Sequence, residues 1–336
     1  MVKLAKTPYS GRTNLFSEII GSPGEGYDPT FDSTFKRSVD SNLNCTLKIK
    51  LSIYFRKVDP RDLTGPAAHV LAAALGIPIP ANGAIATYND ADNNPHLIKE
   101  WTNQEWSNFI SVVKTQAALW HGKFWLMPPD DFDMFDMEVG SWTNTSGSEK
   151  YRPNVQCDFE LEIPPTHMTA HLIVDVVNLL GPGFFRAHAQ LYTDGNTTPA
   201  NNVGIDWSKL AVNATQPTIA HEVGHAIGQP HIGLSRSLAQ CTLAAVFQQV
   251  LPEDAIPLLL KGGSNAHACY GDGGTSDDIN NIMGKGSTFS KENAQPWLDR
   301  LFQHFNLSGA QIALVHASKS KWQVLMSDKP PRKIAG

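Results

Sequence analysis

The chain is poor in the features that would place it in several broad classes. Only four of its 336 residues are cysteine: Cys45, Cys157, Cys241 and Cys269. That number permits two disulfides without making a disulfide scaffold. Charged residues are 18% of the chain and the formal net charge is −5. There is no basic field of the kind that nucleic-acid binding requires. No long apolar run points to a membrane span. Behind the opening Met1-Val2-Lys3-Leu4-Ala5-Lys6 there is no apolar segment of a secretory signal, and no internal repeat is visible. The expectation is therefore export by a non-classical or specialised route, with a cytoplasmic location as the alternative. What the chain does have is a 41% hydrophobic fraction, enough for a sizeable core, together with eight tryptophans and 22 prolines.

The most informative stretch is His221-Glu222-Val223-Gly224-His225-Ala226-Ile227-Gly228-Gln229-Pro230-His231, an H-E-x-x-H-x-x-G-x-x-H pattern. His221 and His225 are four apart, so a helix sets both imidazoles on one face, one turn apart. Thr215 or Gln216 is placed to cap that helix and Pro217 to occupy its first turn. Ile219, Val223 and Ala226 give it an apolar stripe. Gly228 can take the left-handed conformation that ends a helix, and His231 then arrives from outside it. Three histidines leave the fourth position of a tetrahedral zinc ion open, as a catalytic site requires, and no cysteine fills it. Glu222 directly follows the first ligand and is placed to act as a general base rather than a ligand.

The pattern resembles the signature of the metzincin clan of zinc metallopeptidases, in which the extended motif is followed downstream by a Met-turn. Asn280-Asn281-Ile282-Met283-Gly284 is the candidate turn, and the resemblance implies that Met283 lies beneath the metal. It also implies that Phe184–Tyr192, containing Ala187-His188-Ala189, is an edge strand that binds substrate by strand addition. The resemblance covers about residues 185–305. Ile232 after the third histidine, and Lys285 where astacin-like members carry a zinc-binding tyrosine, match no particular subfamily. No cysteine-switch motif of a propeptide is present.

Along the chain, residues 1–43 are rich in Gly, Ser, Pro and Asp and read as an extended arm or leader. Leu47, Ile49, Leu51, Ile53 and Phe55 alternate with polar neighbours as a half-buried strand. Thr102 and Glu105 form a capping box ahead of a long amphipathic helix carrying Trp106, Phe109, Ile110, Val113, Ala117 and Trp120. Phe124–Met127, Val155–Ile163 and Leu172–Val177 read as strands, and Ser237–Val250 as a helix. Ser290 caps a closing helix with Trp297, Leu298, Leu301, Phe302 and Phe305 inside. Cys241 and Cys269 are spaced for a local disulfide, or remain thiols.

The expected fold is α+β and zincin-like: a twisted mixed sheet with the active-site helix, then a mainly helical or irregular C-terminal part. The boundaries are a flexible arm at 1–43, an N-terminal zincin subdomain at 44–230, a C-terminal subdomain at 231–317 and a peripheral tail at 318–336. The expected function is a zinc-dependent endopeptidase, a metal hydrolase acting on a protein or peptide substrate. One catalytic Zn2+ is held by His221, His225 and His231, and Glu222 takes the proton of a water whose pKa the metal lowers to about 7. The alternatives are an inert zinc-binding module on the same scaffold, a zinc hydrolase of non-peptide amides or esters, and an effector or toxin peptidase delivered by a specialised export system. The acidic stretch Asp130–Glu138, and Asp272, Asp277 and Asp278, are candidates for calcium, with a solvated acidic loop as the other reading. No partner is implied beyond substrate, and the oligomeric state is not legible.

Overall fold

The computed structural model describes residues 3–4, 9–12, 30–37, 44–63, 67–90, 94–132, 135–138, 150–181, 185, 190–198, 200–201, 215–229, 280–284, 286–306, 314 and 318–331. Its strands run β1 (Lys3–Leu4), β2 (Tyr9–Arg12), β3 (Thr30–Arg37), β4 (Cys45–Lys57), β5 (Ile85–Asn89), β6 (Pro95–Lys99), β7 (Phe124–Met127) and β8 (Met137–Glu138). They continue with β9 (Lys150–Tyr151), β10 (Val155–Glu162), β11 (Leu172–Leu179), β12 (Leu191–Thr193), β13 (Ala200–Asn201), β14 (Thr215–Gln216), β15 (Phe305–Asn306) and β16 (Gln323–Met326). The helices are α1 (Ala67–Leu75), α2 (Asn103–Ala117), α3 (Thr218–Ala226) and α4 (Gln295–Gln303).

Ten strands form one mixed, open sheet in the order β16-β7-β10-β4-β11-β6-β5, with β12 beside β11, and β2 and β3 continuing from β4. The sheet and its helices make a mixed α and β fold. Its axis is β4, parallel to β10 and β11 and antiparallel to β3. The alternation read from the sequence is the reason. Cys45, Leu47, Ile49, Leu51, Ile53 and Phe55 are all buried, and their polar neighbours through Lys50 lie on the other face. Lys48 and Lys50 meet Glu160 and Glu162 of β10 there, at 2.9 and 2.8 Å.

Helix α2 lays Phe109, Val113 and Ala117 on the buried face, with Phe109 edge-on to Phe55 at 5.8 Å. Its capping box forms as expected: Glu105 N–H donates to Thr102 Oγ1, and Thr102 N–H donates to Glu105 Oε2 at 2.9 Å. Helix α4 buries Trp297, Leu298, Leu301 and Phe302 in the same core, and Trp297 Nε1–H donates to the Asp158 carbonyl at 2.8 Å. Ser290 and Asn293 cap the short 3-10 turn that leads into it.

Three expectations change. The arm at 1–43 is not all leader: β3 pairs with β4 from Asp32↔Lys50 to Arg37↔Cys45, and Phe31 and Phe35 are core residues. Asp32, Ser33 and Thr34 separate those two phenylalanines and the buried position between them is Ser33, so a strand buried on one face reads as a polar arm. The tail at 318–336 is not wholly peripheral, because β16 pairs antiparallel with β7 and Trp322 is buried against Phe132, Phe135 and Phe302. Of the predicted strand Phe184–Tyr192, the described residues Leu191 and Tyr192 belong to β12, which runs parallel to β11, and Phe185 and Gln190 lie outside any strand. Gly181 at φ 104° turns the chain before this segment, and Phe185 packs in a small cluster. Ala187-His188-Ala189, the helix Ser237–Val250, Cys241 and Cys269 lie outside the described residues. Cys45 and Cys157 are buried thiols of neighbouring strands, and burial raises the Cys157 thiol well above its ordinary range.

Candidate metal centre

Helix α3 carries His221, Glu222 and His225, and each is nearly or fully buried. Its start differs from the expected one. Thr215 and Gln216 form β14, paired with Ala200 and Asn201, and Pro217 is the N-cap residue with no side-chain cap of its own. The cap comes instead from another helix. Gln116, at the end of α2, accepts from the N–H groups of Ile219 and Ala220 at 3.0 and 3.4 Å. This satisfies donors that a helix start otherwise leaves orphaned inside the protein. Trp120 adds a second tie, with Nε1–H donating to the Ala220 carbonyl at 2.8 Å. At the other end Gly228 adopts φ 94°, and its N–H reaches the His225 carbonyl at 2.9 Å, as a glycine helix stop does.

The two imidazoles face each other edge to face, with their Nε2 atoms 3.1 Å apart. His221 Nδ1 lies 2.7 Å from the Ile282 carbonyl, and His225 Nδ1 lies 2.8 Å from the Gln229 carbonyl. A carbonyl only accepts, so both Nδ1 atoms carry the proton. Both Nε2 atoms of the neutral rings then hold lone pairs, aimed at each other's neighbourhood. Gln216 Nε2 is also 2.9 Å from His221 Nδ1 and donates to the Gly284 carbonyl at 2.8 Å, but the Ile282 carbonyl is the shorter contact and can only accept, so it determines the tautomer. Burial drives the His225 imidazole down to about 4, against the raising effect of its bond to Gln229, and it is neutral at pH 7.

This arrangement fits a metal ion with nitrogen ligands. Two nitrogens on one tetrahedral zinc stand about 3.3–3.4 Å apart, from zinc–nitrogen distances of about 2.0–2.1 Å. Ligand histidines also commonly donate their second ring N–H to a carbonyl, which orients the ring. Among the described residues no group of three or more His, Cys, Asp or Glu converges on one point. The third expected ligand, His231, lies outside the described residues, so the structure brings together two of the three histidines and Glu222 on their helix.

The segment Asn281–Gly284 packs directly under this helix. Met283 is fully buried, and Ile282 supplies the carbonyl that holds His221. Gly224, between the two histidines, is the contact point: a Cβ there would meet the Met283 sulfur and come within 2.7 Å of the Trp120 ring. The turn is braced by Asn281, whose Oδ1 accepts from Met283 N–H at 2.8 Å and whose Nδ2 donates to Asn293 Oδ1 at 2.9 Å. Gln229 ties the far end, donating through Nε2 to the Asn293 carbonyl at 2.9 Å. Gln116, Gln229, Asn281 and Asn293 were missed in the sequence. One signal was available: Gln116 interrupts an otherwise apolar stripe between Val113 and Ala117, the mark of a buried polar group with a partner elsewhere.

The acidic stretch at 130–138 has a structural account for two of its carboxylates. Asp131 binds Lys321 at 2.5 Å, and Asp136 binds Arg152 Nε at 2.7 Å. Asp272, Asp277 and Asp278 lie outside the described residues. No helix of the described residues is long and apolar enough to cross a membrane. Compared with known families, curated proteins and solved structures, the chain matches none.

Proposed function

We propose that the protein is a zinc-dependent endopeptidase of metzincin type, with His221, His225 and His231 as metal ligands and Glu222 as general base. The observation that carries this reading is the pair of Nε2 atoms 3.1 Å apart, each on a ring whose other nitrogen is held by a carbonyl. That separation is close to the spacing of two imidazole nitrogens on one tetrahedral ion, about 3.3–3.4 Å. Imidazole donors in that arrangement suit zinc.

The chemistry the metal supplies when bound is a water acidic enough to ionise near neutral pH and a pull on the substrate carbonyl. The chain does the rest. His221 and His225 keep their ligand tautomers through Ile282 and Gln229. Glu222, one residue from His221, takes the water's proton and returns it to the leaving amide nitrogen. Gly224, Met283 and Trp120 pack closely beneath the helix and hold the two histidines over the turn.

The test pairs metal content with turnover. Glu222→Gln should retain zinc by elemental analysis and lose peptide cleavage by about 10²-fold or more, the range for removing a general base. Cleavage at the wild-type rate by that variant removes Glu222 from the role. Zinc in the wild type without cleavage of any peptide in a proteome-wide profile leaves an inert zinc-binding scaffold. Wild type free of zinc after dialysis against it removes the metal reading itself.

A further inference from the structure

Away from the histidines, the second half of β4 has an open edge. β10 accompanies β4 only as far as Glu162↔Ser52, whereas β11 pairs with it on the opposite side from Leu172↔Ile53 to Val176↔Lys57. Pro164 and Pro165 explain the divergence of β10, since proline has no N–H to give a ladder. Successive residues of a strand turn their N–H and C=O groups to opposite sides. Ser52 and Val58 bond toward β11 and its approach, through His171 N–H to the Ser52 carbonyl and Val58 N–H to the Val176 carbonyl. Phe55 and Lys57, of opposite parity, therefore present their backbone groups to the other side, where among the described residues no strand pairs with them.

That side is a groove of about 600 Å³. Its walls are Ile163, Pro164 and Pro165 from the end of β10, and Trp106, Ile110 and Lys114, spaced four apart along one face of α2. Lys57 holds its ammonium 4.8 Å from the Trp106 ring centroid. Arg56 is matched by Asp175 in a two-toothed pair at 2.6 and 2.8 Å. Among the described residues Lys57 and Lys114 have no such carboxylate, and no acidic residue lines the groove. In a chain of net charge −5 this is a local cationic site with an apolar floor.

We propose that this groove binds an extended acidic peptide segment that adds as a strand to the β4 edge at Phe55 and Lys57. Backbone bonds along the edge would give affinity, Trp106 and Ile110 would take an apolar side chain, and Lys57 and Lys114 would select carboxylates. Nothing in this depends on the metal centre, with which the groove shares no residue. The proposal stands whether or not the chain is a peptidase.

The experiment is fluorescence anisotropy with the full chain carrying Glu222→Gln, so that bound peptide is not consumed. The probe is a labelled hexapeptide of four glutamates around a central leucine and phenylalanine. Two controls share its sequence, one with glutamine for glutamate and one N-methylated at alternate amides. Binding of the acidic probe should weaken at least about tenfold for each control, and in the Lys57→Glu/Lys114→Glu variant. The milder Lys57→Gln/Lys114→Gln variant should weaken it in a protein whose circular dichroism is unchanged. Equal binding of the glutamine control overturns charge selection, and equal binding of the N-methylated control overturns strand addition. Displacement by a single-stranded oligonucleotide at lower concentration than by unlabelled peptide also overturns the proposal, by making the cleft one for nucleic acid.

Discussion

At the scale of single residues, the candidate centre depends on groups whose role is to hold other groups still. Gln116 is the clearest. Its carboxamide caps α3 from another helix, where Pro217 offers no side-chain oxygen. Gln116→Leu should orphan two buried N–H groups and lower stability by about 1–3 kcal/mol, the cost of unsatisfied buried donors. It should also loosen the histidine pair, read as weaker zinc retention against a competing chelator. Gln116→Glu keeps the acceptor at a helix start, where negative charge is favoured, and should restore retention. Equal retention by all three proteins removes Gln116 from that role. Gly224 makes the opposite point, since its lack of a side chain is what lets α3 lie on Met283. Gly224→Ala normally helps a helix by about 1 kcal/mol. Here the added methyl must displace the Met283 sulfur and Trp120, and overpacking costs about 1–3 kcal/mol. A lower thermal midpoint is expected, and a higher one would mean the helix and turn are not in contact.

At the scale of elements, the start of α2 has a pH signature. Burial alone would raise the Glu105 carboxyl, but Lys99 and the Thr102 hydroxyl and N–H outweigh it and hold the group at about 2, below its ordinary 4.5. The folded protein then binds fewer protons there than the unfolded chain. The stabilisation is fully present above pH 4.5 and is lost as pH falls from there through 2. Urea midpoints should therefore fall more between pH 5 and pH 3 for the wild type than for Glu105→Gln. Identical falls would show that the cap does not titrate in that window. Elements with strict local patterns were legible in the sequence: the capping box, the alternating β4, the strands β7, β10 and β11, and the glycine stop at Gly228. β3 was not, because it carries few apolar residues and acquires its identity from the partner it pairs with. The cap of α3 was not, because it comes from a residue about a hundred positions away.

At the scale of the molecule, the first and last parts of the chain belong to the central core. Phe31 and Phe35 reach it from β3, and Trp322 from the segment before β16. Trp322 stands 5.6–5.8 Å, centroid to centroid, from Phe132, Phe135 and Phe302, so it joins the β7 side of the sheet to α4. Trp322→Ala should cost about 3–5 kcal/mol, as large-to-small changes in cores do. An unchanged chemical-denaturation midpoint would return this segment to the periphery. The division into an N-terminal zincin part and a C-terminal part is likewise less sharp than the sequence suggested. Trp297 and Phe302 of α4 share one cluster with Leu47 and Phe159 of the sheet.

Two imidazoles one turn apart, a carboxylate beside them, a glycine stop and a methionine downstream are legible in the chain alone. Those are relations between near neighbours, and helical geometry dictates them without reference to the rest of the chain. Which nitrogen each histidine presents depends on the folded chain, because the Ile282 carbonyl comes from 61 residues away and the Gln229 carbonyl depends on the bend at Gly228. Only the structure likewise opened the β4 edge, where pairing on one side ends before the strand does. Hydrogen bonds between distant segments carry no local periodicity, so they become visible once the chain has folded.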